Sequence, residues 1–157
     1  MSCVPSKPLG KVEITRMAFL DADVLQGGMN VYVDTKGNAF CQVFRVPGQK
    51  ESGTQESRYM VVLQTDEVDS LTQLMEKSEL RSISIEHRPG KADEFVQTLI
   101  VHTASGPEIV IKKLERQKDT RLDAIQTRFT DIGRQIVREG RVVYAGVCQP
   151  KWRPAGW

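Results

Sequence analysis

Apolar residues between Asp119 and Glu139 recur at the spacing of one face of a helix. The intervals are three and four residues, and the positions are Leu122, Ile125, Phe129, Ile132 and Ile136. This period predicts an amphipathic α-helix whose apolar stripe packs on a core. The arginines of the segment fall off the stripe, at Arg121, Arg128, Arg134 and Arg138. The helix therefore has one apolar side and one side rich in arginine.

A second amphipathic helix is predicted to begin at Thr65 and Asp66 and to end near Lys77. Either of the first two side chains can accept a hydrogen bond from the free amides of a first helical turn. The apolar positions of this segment again share one face, and they are Val68, Leu71, Leu74 and Met75. We expect both helices to bury their apolar faces on the same core.

Shorter segments alternate apolar and polar residues or are apolar throughout, which is typical of β-strands. They comprise residues 12–19, 30–34, 39–46, 58–64, 81–87, 95–103, 108–114 and 142–147. The first segment changes phase part of the way along, which predicts a bulge. The polar residues 34–38 contain a glycine, which suits a hairpin turn. Residues 47–57 and 88–93 are predicted to form a mobile loop and a turn.

The element order is therefore ββββ-α-βββ-α-β. Short connections favour antiparallel pairing, because parallel neighbours need a crossover of a dozen or more residues. We predict an α+β fold, with a mainly antiparallel sheet of about six to eight strands packed against two amphipathic helices. The predicted organisation is a flexible leader over residues 1–10, a single domain over residues 11–148, and a C-terminal tail over residues 149–157.

Charge is balanced overall but uneven along the chain. The 157 residues carry a net charge of +2, which by itself implies no class of partner. Residues 66–94 are acidic on balance, whereas residues 112–141 are basic. This asymmetry suggests an interaction surface on the basic segment.

The three cysteines, Cys3, Cys41 and Cys148, are odd in number and far apart. Their spacing matches neither a disulfide framework nor a metal-binding pair, so we expect reduced thiols and a cytoplasmic protein. No apolar segment has the length of a signal-peptide core or of a membrane span. We therefore predict a soluble chain with no membrane contact.

The sequence contains few candidate catalytic residues. Only His87 and His102 supply imidazoles, and no third ligand stands at metal spacing, so no metal or cofactor is predicted. For acid–base chemistry, the candidates to line a cleft are Glu86 with His87, or the acidic pair Asp93 and Glu94 beside a Pro-Gly turn. A small hydrolase-like enzyme built around His87 and His102 is the remaining enzymatic hypothesis.

The arginine side of the second helix is the best candidate for binding. Helical geometry places Arg134 and Arg138 on one exposed patch, and Arg121 and Arg128 together on a flank. Arginines grouped in this way can bind phosphates or an acidic protein surface. The alternative is a solvated face, because Asp131 lies three residues from both Arg128 and Arg134.

The two tryptophans lie in the tail, at Trp152 and Trp157. Either they pack back over the sheet, or they form an exposed recognition element, since tryptophan is favoured at binding hot spots. We expect Trp152 to dock, whereas both interpretations stay open for Trp157.

These observations lead to three hypotheses of function. The first is a non-enzymatic protein-binding module, such as an adaptor, inhibitor or neutralising partner, which uses the four arginines and the two tryptophans. The second is a nucleic-acid-binding accessory domain that uses the basic residues 112–141. The third is the enzyme around the two histidines.

Overall fold

The computed structural model describes residues 14–48, 53–83, 95–114 and 117–157. The β-strands of these ranges are β1 (Ile14–Asp23), β2 (Gly27–Asp34), β3 (Asn38–Arg45), β4 (Gln55–Val62), β5 (Val96–Thr103), β6 (Ile109–Leu114) and β7 (Arg141–Val147). The α-helices are α1 (Thr65–Lys77) and α2 (Thr120–Glu139), and a short 3-10 turn covers Leu80–Ser82.

The seven strands form one antiparallel sheet in the order β6-β5-β1-β2-β3-β4-β7. Hairpins join β1 to β2, β2 to β3 and β5 to β6, as their short connections require. α1 leads from β4 to β5, and α2 leads from the edge strand β6 to the opposite edge strand β7. Each helix therefore connects strands that lie far apart in the sheet. One antiparallel sheet with two helices confirms the predicted α+β class.

α2 lies across β2, β3 and β4 with its predicted apolar stripe fully buried. Its first turn is capped by Asp119, whose carboxylate accepts hydrogen bonds from the backbone N–H groups of Arg121 and Leu122 at 3.0 and 3.1 Å. In the middle of the stripe, Phe129 stacks on Phe19 of β1 with the ring centroids 5.7 Å apart. The spacing of three and four residues therefore predicted correctly which side of α2 is buried.

The hydrophobic core lies between the helices and one face of the sheet. Alternate residues of the central strands point into it, for example Val31, Val33, Cys41 and Leu99. α1 adds Val68, Leu71 and Met75 from its own buried stripe. We call this side of the sheet the helix face, and the opposite side the second face.

Gly133 allows α2 to approach β2 closely. A Cβ atom at this position would lie 2.9 Å from Cγ2 of Val31 and would also collide with Sδ of Met29. Glycine in the middle of a helix costs about 1 kcal/mol relative to alanine. Here that cost is offset by the tight contact between the helix backbone and the sheet.

Several boundaries differ from the prediction. β4 begins at Gln55, so residues 55–57, predicted as loop, belong to the sheet. Leu80–Ser82 forms a 3-10 turn where a strand was predicted to begin at residue 81. The remainder of that strand, the turn at 88–93 and the predicted leader lie outside the described residues. β1 has the expected register shift, between Ile14 and Arg16.

Among the described helices, none combines the length and the apolar character needed to cross a membrane. Both α1 and α2 carry polar and charged residues along the side that faces away from the core.

We predict that Gly133→Ala destabilises the protein. Overpacking typically costs about 1–3 kcal/mol, which outweighs the gain of about 1 kcal/mol in helix propensity, because the branched side chain of Val31 has little room to move. Urea unfolding measures the difference. Thr127→Ala, on the exposed side of the same helix, is the control and should change stability by less than about 0.5 kcal/mol. A Gly133→Ala protein at least as stable as the wild type would contradict the close approach of α2 to β2 at this position.

Candidate binding surfaces

Two of the four arginines predicted to bind a partner connect α2 to its neighbours. Arg121 donates hydrogen bonds to the carbonyl of Ser78 at 3.3 Å and to the hydroxyl of Ser82 at 3.0 Å. Arg128 donates to the hydroxyl of Ser70 in α1 at 3.2 Å. Both side chains therefore help to hold the two helices together, in addition to any role in binding.

The other two arginines, Arg134 and Arg138, are exposed on α2. Arg134 lines a shallow polar concavity of about 520 Å³ together with Lys118, Asp123, Gln126, Thr127, Thr130 and Asp131. Arg138 approaches the carboxylate of Glu139 at 3.4 Å, and both side chains are largely exposed. An exposed pair of this kind contributes little to stability. The predicted patch thus lies on the surface, where it is accessible to a partner.

β7 forms an edge of the sheet and pairs only with β4 in the described part of the chain. Its valines are unusually exposed for apolar residues, at 57% for Val142, 45% for Val143 and 67% for Val147. The register against β4 shifts between Arg58 and Tyr59, which makes Val143 a bulge residue. The strand therefore offers backbone groups and apolar side chains together at one edge.

The second face of the sheet carries a network of buried polar side chains. Asn30 donates to Gln42 at 3.0 Å, and Gln42 donates to Glu56 at 2.6 Å. Arg58 donates two hydrogen bonds to the same carboxylate, at 2.7 and 3.2 Å. The side chain of Glu56 is fully buried and that of Arg58 nearly so. This network joins β2, β3 and β4.

The tail covers this network, starting at Gln149. The backbone N–H of Gln149 donates to Glu56 at 2.7 Å, and its carbonyl accepts from Gln42 at 3.1 Å. Its side-chain oxygen accepts from Arg58 at 2.6 Å. One tail residue therefore makes three hydrogen bonds to the network.

Trp152 docks beside Gln149, as predicted. Its ring lies 4.4 Å from the Arg58 guanidinium carbon, and Tyr144 of β7 lies 4.1 Å away from the same carbon. Trp152 also meets Tyr32 and Phe40 edge-on, with centroids 5.7 and 6.1 Å apart. Stacking of a guanidinium on aromatic rings is favourable, most of all where the cation is desolvated.

Trp157 docks as well, which decides between the two interpretations left open for it. Its ring meets Tyr32 edge-on at 5.2 Å and His102 edge-on at 5.4 Å. Arg16 lies 5.8 Å from the same ring. Between the tryptophans, Arg153 donates to the hydroxyl of Tyr32 at 3.3 Å, and Pro154 is buried. The tail thus follows the second face from β4 to β5.

The residues of the enzymatic hypothesis are only partly described. His102 lies 3.2 Å from the Glu108 carboxylate and packs on Trp157, whereas His87, Glu86, Asp93 and Glu94 lie outside the described residues. Among the described residues, no three His, Cys, Asp or Glu side chains come together as a metal site.

Burial suppresses the ionisation of two central side chains. Desolvation raises the pKa of the Cys41 thiol to about 12. Desolvation also raises the pKa of the Tyr32 hydroxyl to about 12, although Arg153 beside it acts in the opposite direction. Both groups are neutral at physiological pH. Because the thiolate is the nucleophilic form of cysteine, Cys41 is a packing residue.

The network of Asn30, Gln42, Glu56 and Arg58 did not emerge from the sequence. One signal was present, because Gln42 shares a strand face with the aromatic residues Phe40 and Phe44. A polar residue in an apolar row indicates a covered face with internal hydrogen bonds. Glu56 gave no such signal, since it stood in a segment predicted as loop.

Comparisons of the chain with known protein families, with curated proteins and with solved structures find no match.

We predict that Glu56→Gln destabilises the protein by about 3–5 kcal/mol, because removing one charge of a buried pair leaves the other uncompensated. Glu139→Gln is the matched control, since Glu139 is paired with an exposed arginine and its loss should cost less than about 1 kcal/mol. Urea unfolding of both variants measures the contrast. Equal effects would show that the Glu56–Arg58 pair is not desolvated in solution.

We predict that Cys41 resists alkylation at pH 10. In a chain with Cys3→Ser and Cys148→Ser, iodoacetamide should react with the native protein more than about tenfold more slowly than with the urea-unfolded protein, because burial keeps the thiol protonated. The control chain carries Cys3→Ser and Cys41→Ala and retains the half-buried Cys148, which should react faster than Cys41.

The same burial gives the stability of the protein an alkaline limit. The pKa values of Cys41 and Tyr32 rise from 9.0 and 10.0 to about 12 on folding. Folding therefore favours their neutral forms, and the stabilisation is complete below pH 9 and declines as the pH approaches 12. Rapid alkylation of native Cys41, or a stability that rises between pH 9 and 11, would contradict the burial of Cys41 and Tyr32.

Proposed function

We propose that the protein is a non-enzymatic protein-binding module that binds an extended, acidic segment of a partner along β7. The observation that supports this proposal best is the outer edge of that strand, with which no other described strand pairs. An edge strand presents unpaired N–H and C=O groups, to which a partner can add a strand of its own. The exposed valines of β7 give such a strand an apolar surface on which to pack.

The two edges of the sheet differ in the way that this proposal requires. Natural proteins protect exposed edges with charged side chains, above all with lysine. β6 contains Lys112 and Lys113, and Lys112 is exposed. From Val142 to Val147, β7 contains no charged residue. Apart from the bulge at Val143, this part of β7 therefore carries neither the charged side chains nor the proline that protect natural edges.

The charge beside β7 favours an acidic partner. Arg141 opens the strand, and Arg138 stands in the last turn of α2 immediately before it. Both are exposed, as is Arg134 one turn earlier. Complementary charge increases the rate and the specificity of association more than the final affinity. The arginines would thus steer an acidic segment toward the edge that binds it.

The bulge at Val143 limits the length of the added strand. Bulges bend an edge and interrupt the ladder of hydrogen bonds, so β7 is divided into a short first part and a second part over residues 144–147. We propose that the partner pairs with the second part and packs against the valines on either side. We place this interaction in the cytoplasm, in agreement with the free thiols of Cys41 and Cys148.

The proposal is tested by a matched pair of edge variants. Val143 on β7 and Val110 on β6 are both 45% exposed. Proteins captured from native cell extract should be retained by the wild type and by Val110→Lys. They should be lost with Val143→Lys, because only the lysine at position 143 blocks the edge of β7. Arg134→Glu combined with Arg138→Glu should slow association of the captured protein about tenfold at low salt. Circular dichroism confirms that each variant is folded.

Three results would contradict the proposal. Equal capture by the two lysine variants would exclude β7. Binding that is unchanged by the arginine substitutions would exclude charge steering. Retention that is abolished by nuclease and falls steeply with salt would favour the nucleic-acid hypothesis for residues 112–141 instead.

A further inference from the structure

We propose that the second face of the sheet is a peptide-binding groove and that residues 149–157 occupy it as an intramolecular ligand. The ligand class is an extended peptide with a glutamine three residues before a Trp-Arg pair, and the tail supplies these groups as Gln149, Trp152 and Arg153. A partner protein with such a segment would compete with the tail for the groove. This site lies apart from the outer edge of β7 and does not depend on it.

The floor of the groove is organised by the strands themselves. Hydrogen bonds run from Asn30 to Gln42, from Gln42 to Glu56, and from Arg58 to Glu56. None of these bonds involves the tail. The side-chain oxygen Oδ1 of Asn30 accepts hydrogen bonds in turn from the backbone N–H groups of Asp21 and Ala22, at 3.0 and 3.1 Å. A binding site that is organised before its ligand arrives loses little affinity to ordering.

The first contact of the tail recognises a residue whose side chain carries an oxygen acceptor. Glu56 accepts the backbone N–H of Gln149, while Gln42 and Arg58 donate to its two carbonyl oxygens. Glu56, Gln42 and Arg58 are all buried. Donors and acceptors that are fixed in a buried site reject ligands that leave them unpaired. The groove therefore selects the direction of the chain and a side-chain oxygen at this position.

Two aromatic sockets lie further along the groove. Trp152 fills the first, on Arg58 between Tyr32 and Phe40. Trp157 fills the second, between Tyr32 and His102. Tyr32 forms a wall of both sockets. Large aromatic side chains in such pockets commonly provide most of the energy of peptide binding.

The tail has the character of a bound peptide, since exposed residues separate the side chains that anchor it. Lys151, Arg153, Ala155 and Gly156 are exposed, whereas Pro154 is buried and both tryptophans are partly covered. The segment forms neither a strand nor a helix. It is therefore held by separate anchors and not by a continuous ladder of hydrogen bonds.

The tether keeps the groove closed in the resting protein. A ligand attached by a short connection reaches an effective concentration in the millimolar range. A free peptide of equal intrinsic affinity therefore binds the intact chain poorly. Weakening the anchors of the tail should open the groove to the free peptide.

The test measures the binding of a fluorescein-labelled peptide with the sequence of residues 149–157 by fluorescence anisotropy. The full chain carrying Gln149→Ala and Trp152→Ala should bind it at least about tenfold more tightly than the wild-type chain. The control peptide has alanine in place of both tryptophans and should not bind. Circular dichroism verifies that the variant is folded, and if it is not, the single variant Trp157→Ala is used with the same expectation.

A folded variant that binds the peptide no more tightly than the wild type would overturn the proposal, because the tail would then be an integral part of the fold. Equal binding of the alanine control peptide would overturn it too, since the aromatic sockets would not be recognising the ligand. Val143→Lys, which alters the β7 edge, should leave peptide binding unchanged. The groove and the β7 edge can therefore succeed or fail independently.

Discussion

A sheet of seven strands has two faces to cover, and both of the described α-helices lie on the same one. The helix face is closed by the apolar stripes of α1 and α2, in the way that their periodicity requires. The second face has no helix among the described elements, yet Tyr32 and Gln42 on it are fully buried. Their burial depends on the tail. The arrangement of the C-terminal residues is thus a consequence of the topology of the sheet.

The covering of the second face explains why a charged pair lies inside the protein. Burying Glu56 and Arg58 is costly unless every polar group of the pair finds a partner. The carboxylate receives hydrogen bonds from Gln42, Arg58 and the backbone of Gln149. These bonds are directional, so they specify one position for the tail, which apolar contacts alone would not do. The cost of desolvating Glu56 and Arg58 is therefore accompanied by a specific placement of the tail.

The sequence was informative where structure is set by neighbours along the chain. The stripe of α2 from Leu122 to Ile136 gave both the helix and its buried side. The fold class followed from short connections. What the sequence did not contain was the partner of each polar side chain. Arg128 meets Ser70, and Glu56 meets Gln149, across 58 and 93 residues. Such pairs depend on how the helices and the tail fold back, and no local pattern records them.

β7 connects the two surfaces that carry the functional proposals. Its inner side pairs with β4, and its Tyr144 holds the guanidinium of Arg58 opposite Trp152. Its chain continues into the tail at Cys148, whose backbone N–H donates to Thr54 at 3.0 Å. This bond fixes β7 at its C-terminal end, and at the other end Gly140 lies close to the backbone carbonyl of Met60. A strand that is fixed at both ends loses little affinity to ordering when a partner adds a strand to it.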